Sequence, residues 1–282
     1  MINIDTLTIE EFKQLPLVIE GESKEVRYAG NGHVVIRLKP TIYSYTHNRI
    51  GVIDGSDIAR LRVIKVLVAA LQKADIAHSY IAVNNQWILS HLVLQPRTRH
   101  TGELVFTPHD LTDEQLNNLP TANPIEVIVK RYHTGTPKHR YANFDIYPTI
   151  RGTYIGNESK YPNVIVRFDW RNPMIDAKGN RLADEVLPED MAKWFIDTQI
   201  ARHTVTKAFT ALSRHLSVVG IELRDICFFV TTDGKMLFGE VSPDGMRVRD
   251  VSGALDKDVW RAGGSSVLVL DKWQQLADIV EQ

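Results

Sequence analysis

Apolar and polar residues alternate in short runs through the first third of the chain. Residues 26–38 read as two strand patterns on either side of Gly30-Asn31-Gly32, the composition of a tight hairpin turn. Ile58, Leu61, Ile64, Val68 and Leu71 then recur at helical spacing, predicting a helix to about Lys73 with Ser56 or Asp57 as its cap. Strand-like runs return at 78–83 and 87–94.

The polar stretch 108–124 ends in Leu119-Pro-Thr-Ala-Asn-Pro124, where we place a boundary between a β-rich lobe, 1–120, and a second lobe, 121–282. Residues 125–129 form a short buried strand that leads into a basic loop, 130–140. The Asn-, Gly-, Pro- and Tyr-rich region 141–185 reads as loop with short strands. From about Pro188 a long helix is expected, because Trp194, Thr198, Ala201, Val205, Ala208 and Leu212 step by four and three. Residues 226–230 and 236–238 flank Thr232-Asp233-Gly234 as a second hairpin. A loop at 242–258 and a closing helix from about Ser266 complete an α+β order of elements.

The 282 residues carry 33 Lys and Arg against 34 Asp and Glu, a net charge of −1, which argues against a general nucleic-acid binder and leaves room for a local basic pocket. With 44% hydrophobic and 24% charged residues the chain is neither disordered nor collagen-like. Its one cysteine, Cys227, cannot pair within the chain and reads as an inert core thiol. The acidic start lacks a signal-peptide pattern, and the densest apolar run, 63–71, falls far short of the ~20 residues of a membrane helix. A cytoplasmic protein with no membrane partner is expected.

Phosphate-loop, dinucleotide and common zinc motifs are absent. Two segments concentrate chemistry. The first, Glu126-Val-Ile-Val-Lys130-Arg131-Tyr-His133-Thr-Gly135-Thr136-Pro-Lys138-His139-Arg140, places cations and a Thr-Gly-Thr turn after an apolar strand. It is an anion site if the turn's amides and Thr136 face a ligand, and a solvated basic loop otherwise. The second, Gly239-Glu240-Val-Ser242-Pro243-Asp244-Gly-Met-Arg247-Val-Arg249-Asp250 followed by Asp256-Lys257-Asp258-Val-Trp-Arg261, combines a tight turn at Asp244 with two guanidinium forks. Function and plain surface charge are both open for it.

Both segments resemble the SAICAR synthetase (phosphoribosylaminoimidazole-succinocarboxamide synthase) family. Its Asp-Glu-x-Ser-Pro-Asp-x-x-Arg-x-x-Asp run is similar to 239–250, its Leu-Asp-Lys-Asp-x-x-Arg to 255–261, and its Glu-Val-Val-Val-Arg-Asn-x-x-Ala-Gly-Ser strand and loop to 126–136. Its Gly-Lys-x-Lys-x-x-Tyr is similar to 21–27, with Tyr28 one place late. The resemblance implies an ATP-type β-rich N-terminal lobe, an α+β C-terminal lobe, and an ADP-forming carboxylate–amine ligase of purine biosynthesis or a related pathway. That enzyme joins an amino acid (aspartate in the family) to an aminoimidazole carboxylate ribonucleotide through an acyl phosphate. By the same resemblance Lys130, Thr136, Arg247 and Arg261 bind substrate phosphate, Asp244 and Lys130 act in catalysis, Lys24 meets ATP and Glu240 holds magnesium. The partners implied are small molecules, in a possible homo-oligomer.

Four departures concentrate in the ATP and magnesium half, one of them Thr41-Ile-Tyr43-Ser-Tyr45 in place of the family's polar Thr-Ser/Ala-x-x-x-Gly loop. The family's Lys-x-Glu before the hairpin is Cys227-Phe228-Phe229 here, the Asp of its Asp-Glu is Gly239, and the first Lys of Gly-Lys-x-Lys is Glu22. Asp225 and Asp233 are the nearby carboxylates that could take over a metal. The departures leave two further readings open: a nucleotide-binding or regulatory module without ATP turnover, and an ATP-independent enzyme on a similar ribonucleotide.

Overall fold

The structure is a computed structural model that describes residues 2–44, 49–95, 106–135, 141, 143–172, 176, 178, 179 and 182–282. After α1 (Ile9–Gln14) and β1 (Leu17–Glu20), the expected hairpin forms from β2 (Lys24–Gly30) and β3 (His33–Leu38). Gly30, Asn31 and Gly32 all take positive φ at its turn. The small pair β4 (Thr41–Ser44) and β5 (Arg49–Val52) leads to α2 (Ser56–Lys73). With β6 (Tyr80–Val83) and β7 (Ile88–His91) the first sheet is antiparallel, in the order β1-β2-β3-β7-β6. A short helix, α3 (Asp113–Asn117), opens on a capping box from Thr112 and Gln115.

The second sheet is built from β8 (Ile125–Tyr132), β9 (Lys160–Trp170), β10 (Glu185–Val186), β11 (Glu222–Val230), β12 (Leu237–Phe238), β13 (Met246–Asp250) and β14 (Gly253–Ala254). Its order is β10-β9-β8-β11-β13-β14, with β12 paired to β11. The helices are α4 (Glu189–Ala192), α5 (Thr198–Val218), α6 (Asp258–Arg261) and α7 (Ser266–Val280). Backbone hydrogen bonds join the two sheets where Ser79 N donates to Leu237 O at 2.8 Å and Leu237 N to Ala77 O at 3.0 Å. A second bridge runs between Leu94 and Thr121. Among the described residues no helix is long and apolar enough to cross a membrane.

Several local expectations are corrected. Lys130 and Arg131 belong to β8 and not to a loop. The region 141–185 contains β9, whose Val164, Val166 and Phe168 alternate with Ile165, Arg167 and Asp169; flanking Asn, Pro and Gly had masked that period. The loop 242–258 contains β13 and β14. The long helix starts at Thr198, because the Asp197 carboxylate accepts from Gln199 N and Ile200 N, and Trp194 is left 73% exposed outside it. Gly55, with φ 86°, caps α2 in place of Ser56 or Asp57, and Ile58 points outward.

Period-two alternation decides which side of the second sheet is dry. Val127, Val129, Ile226, Phe228 and Val248 join a core completed by Ala201, Val205, Ala208 and Leu212 of α5. Helix α2 packs on α5, α7 and β6, so it buries more than one stripe. The other face of the second sheet receives Glu126, Ile128 and Lys130 of β8 and Asp225, Cys227 and Phe229 of β11. These pair in register: Glu126 with Phe229, Ile128 with Cys227, and Lys130 with Asp225. Cys227, expected in the core, is half-buried on this polar face. Burial pushes its thiol up, with Glu126 and Asp225 adding to the rise, so it is neutral and a poor nucleophile.

Candidate active site

At one end of the polar face, three cations are tied together by two carboxylates. Lys130 Nζ lies 2.5 Å from Asp225 Oδ2, and Arg247 Nη1 lies 2.9 Å from the same oxygen. Arg247 Nε reaches Asp258 Oδ2 at 2.8 Å, and Arg261 Nη1 reaches Asp258 Oδ1 at 2.5 Å. Burial alone would push the Asp225 carboxyl up; Arg247 and Lys130 beside it hold it well below the usual carboxylate range. Asp256 accepts from Val248 N at 2.8 Å and Asp258 N at 2.6 Å, fixing the turn that presents Asp258 and Arg261. Lys130, Arg247 and Arg261 thus face Asp225 and Asp258, with the buried Asp256 close enough to act on Arg247 as well.

Sequence reasoning grouped Lys130, Arg247, Arg261 and Thr136. The structure links the first three in one network, while Thr136 lies outside the described residues. The turn before it does reach the network. Gly135 has φ +67°, and a Cβ there would stand 2.6 Å from Cζ of Arg247. Only glycine lets the backbone settle on that guanidinium.

The other end is built around Phe229. Arg171 places its guanidinium 5.0 Å from the ring centroid, and Lys24 of β2 reaches across from the first sheet to 5.7 Å. Burial lowers the Lys24 ammonium, Glu240 opposes the shift, and Arg171 and Arg60 reinforce it. Beside it, Glu240 is gripped by fully buried Arg60, through Nε at 2.8 Å and Nη2 at 3.0 Å, and it also accepts from the Ser242 hydroxyl. Burial would raise the Glu240 carboxyl, but Arg60 keeps it low. Asp244 pairs with Lys257 at 2.9 Å. Lys24, Glu240 and Asp244 therefore share one end of the face, and Lys130, Arg247 and Arg261 the other.

Between them, Glu126 sits 4.0 Å from Arg171. Burial pushes its carboxyl up to about 7; Arg171 pulls the other way, while Asp184 and Asp169 add to the rise. Such a group can exchange a proton near neutral pH.

This donor set does not fit magnesium. Both Glu240 oxygens are taken by Arg60, Phe229 and Gly239 offer no side-chain oxygen, Asp244 is paired with Lys257, and the cations Lys24 and Arg171 stand over the ring. Asp225 is committed to Lys130 and Arg247, and Asp233 to the Thr231 hydroxyl and Lys235 N of its own turn. No group of three His, Cys, Asp or Glu suited to a metal occurs among the described residues.

Sequence reasoning missed Arg60, Arg171 and Glu126 as site residues. Arg60 had a signal: it stands four residues before Ile64 and seven before Leu67, inside an apolar stripe, where a charge survives only if paired. Glu126 shares a period-two face with Lys130, which also could have found it. Arg171 follows β9, a strand that its surroundings concealed.

The SAICAR synthetase family profile matches residues 17–277. A curated relative, the bifunctional cordycepin biosynthesis cluster protein 3 of Cordyceps militaris, is 24% identical over 95% of this chain. The chain spans about a third of that relative's length, 33%. The phosphoribosylaminoimidazole-succinocarboxamide synthase of Ehrlichia chaffeensis has the same fold, with a TM-score of 0.72 at 18% identity, over 94% of this chain and 98% of its own. A SAICAR synthetase in complex with ADP gives 0.70 at 17%, covering 94% and 97%. SAICAR synthase from Saccharomyces cerevisiae, complexed with SAICAR, gives 0.63 at 15%, covering 99% and 97%. With a match that runs from β1 into α7, and a mixed fold shared along its whole course, this chain belongs to the SAICAR synthetase family.

Proposed function

We propose that the protein is a carbon–nitrogen ligase that joins an amino acid to a carboxylate on a phosphorylated ribonucleotide. The observation that carries this reading is the network of Lys130, Arg247 and Arg261 around Asp225 and Asp258, with two guanidinium groups gathered under the Gly135 turn. A phosphate monoester suits such a place, since guanidinium forks bind its oxygens in pairs.

Strand geometry then gives a ruler. Lys130 and Glu126 are four residues apart on β8, which at ~3.3 Å per residue is about 13 Å. A ribonucleotide with its phosphate at Arg247 would lay its base over Ile128 and Cys227 and bring its carboxylate toward Glu126, Phe229 and Lys24. Asp244, held by Lys257, is placed to position the incoming ammonium group. Glu126, near neutrality in its ionisation, can take the proton that the amine must lose before attack. ATP, the family's co-substrate, supplies the phosphoryl group that gives the carboxylate a leaving group. Lys24 and Arg171 offset the negative charge that gathers there.

A second reading, in which the protein acts on the ribonucleotide without ATP, is favoured by the commitment of Glu240 to Arg60 and by the Phe229 wall. The two are separated by following ADP release from ATP with an aminoimidazole carboxylate ribonucleotide and a panel of amino acids that includes aspartate. Amine-dependent ADP release supports the ligase. Its absence from folded protein that still binds the ribonucleotide supports the second reading.

A further inference from the structure

We propose that the end of the polar face where the family's metal ligands would fall is, in this chain, a metal-free anion site, in which Lys24 and Arg171 bind a phosphate or carboxylate group directly over Phe229. The inference deepens the ligase reading and rests on its placement of the ribonucleotide.

Three observations carry it. First, the ring and the glycine interlock. Gly239 has φ +90°, and a Cβ there would stand 2.9 Å from Phe229 Cδ2. The space that two oxygen-bearing side chains would need is filled by an aromatic ring, and the neighbouring backbone is shaped to that ring. Second, Glu240 is held through both of its oxygens by Arg60, and Asp244 pairs through Oδ1 with Lys257. Third, Lys24 is a half-buried ammonium with no direct hydrogen bond or ion pair among the described residues; it stands 5.7 Å from the ring centroid, and Glu240 and Asp244 act on it only from beyond contact distance. Arg171 flanks the same ring and is only loosely paired, 4.0 Å from Glu126. An unpaired cation taken out of water is costly until an anion joins it. Lys24 and Arg171 over the ring offer an anion two donors, whereas a divalent cation would find both Glu240 oxygens already taken.

The ligand chemistry is a small anionic group, supplied either by a nucleoside polyphosphate or by a substrate carboxylate. The test is calorimetric titration of the full chain with ATP, ADP and succinate, each in EDTA and again with excess magnesium. At least one of the three should bind in EDTA with a Kd within about threefold of its value in magnesium. Lys24→Gln and Arg171→Gln should each weaken that binding roughly tenfold, and Lys24→Arg should restore most of it. The Arg171 side chain is 46% exposed, so its variant is expected to fold even if Lys24→Gln does not. Binding of ATP or ADP alone identifies the polyphosphate as the source, and binding of succinate the carboxylate. Binding that appears only with magnesium, binding indifferent to both variants, or no binding of any of the three overturns the proposal. Ribose 5-phosphate, titrated against wild type and Arg247→Ala, reports on the other end of the face. Its Arg247-dependent binding can persist when the anion site fails, and its loss would count against the ligase reading alone.

Discussion

Gly135 rests on Arg247 with no room for a side chain: the nearest guanidinium atoms lie 2.6 Å from where a Cβ would be. Arg247 cannot swing aside cheaply, because Asp225 and Asp258 hold its two edges. Gly135→Ala is therefore expected to cost on the order of 1–3 kcal/mol, from positive φ and displacement of the guanidinium together. Thermal unfolding and ribose 5-phosphate titration check it, and unchanged values in both would show that the turn is not packed on Arg247.

Arg247→Ala should weaken ribonucleotide binding by about 2–4 kcal/mol, since it removes a charge contact and leaves Asp225 with Lys130 alone. Asp225→Asn should act on stability instead, costing ~3 kcal/mol, because buried Lys130 loses its partner. Calorimetry reads the first and denaturant unfolding the second. Equal effects of both variants on both measurements would contradict the division.

The Arg60–Glu240 pair predicts strong non-additivity. Arg60 is fully buried, so Glu240→Gln should destabilise the fold by about 3 kcal/mol, and Arg60→Met by a similar amount. The double variant should cost clearly less than their sum. A double-mutant cycle in urea measures the coupling, and additive costs would mean that the two side chains do not depend on one another.

Glu126 makes a pH prediction. Its folded value, about 7, lies above the ordinary carboxylate value of 4.5. Between those two values the unfolded chain gives up the proton first, so this group's contribution to stability is full below 4.5 and is lost as pH rises through 7. Glu126→Gln should therefore gain stability relative to wild type as pH is raised from about 5 to about 8, by roughly 1–3 kcal/mol. Unfolding measured across that range tests the sign, and a gap that narrows in favour of wild type would refute it.

The hairpins, α2, the closing helix and the family were legible because each rests on local signals: turn glycines, apolar period and the Ser-Pro-Asp and Asp-Lys-Asp runs. Strand β9 was not legible, since its period-two core of Val164, Val166 and Phe168 lies between turn formers that suggest loop. Lys130, Arg247 and Arg261 were recognisable as cations near one another in the fold. That Asp225 and Asp258 would join them could not be read along the chain, because Asp225 and Lys130 are 95 residues apart. Arg60 and Glu240 are separated by 180 and meet only through tertiary packing. Glu126 needed the register of β8 against β11 before its surroundings had meaning.

The contact between Phe229 and Gly239 also makes the two positions a single unit of design. A carboxylate placed at 239 alone would drive its first carbon into the ring, in a backbone conformation that disfavours any side chain. One placed at 229 alone would leave a void beside a glycine. An attempt to install oxygen ligands here by substitution therefore has to exchange both residues together, and either change made singly is expected to cost stability.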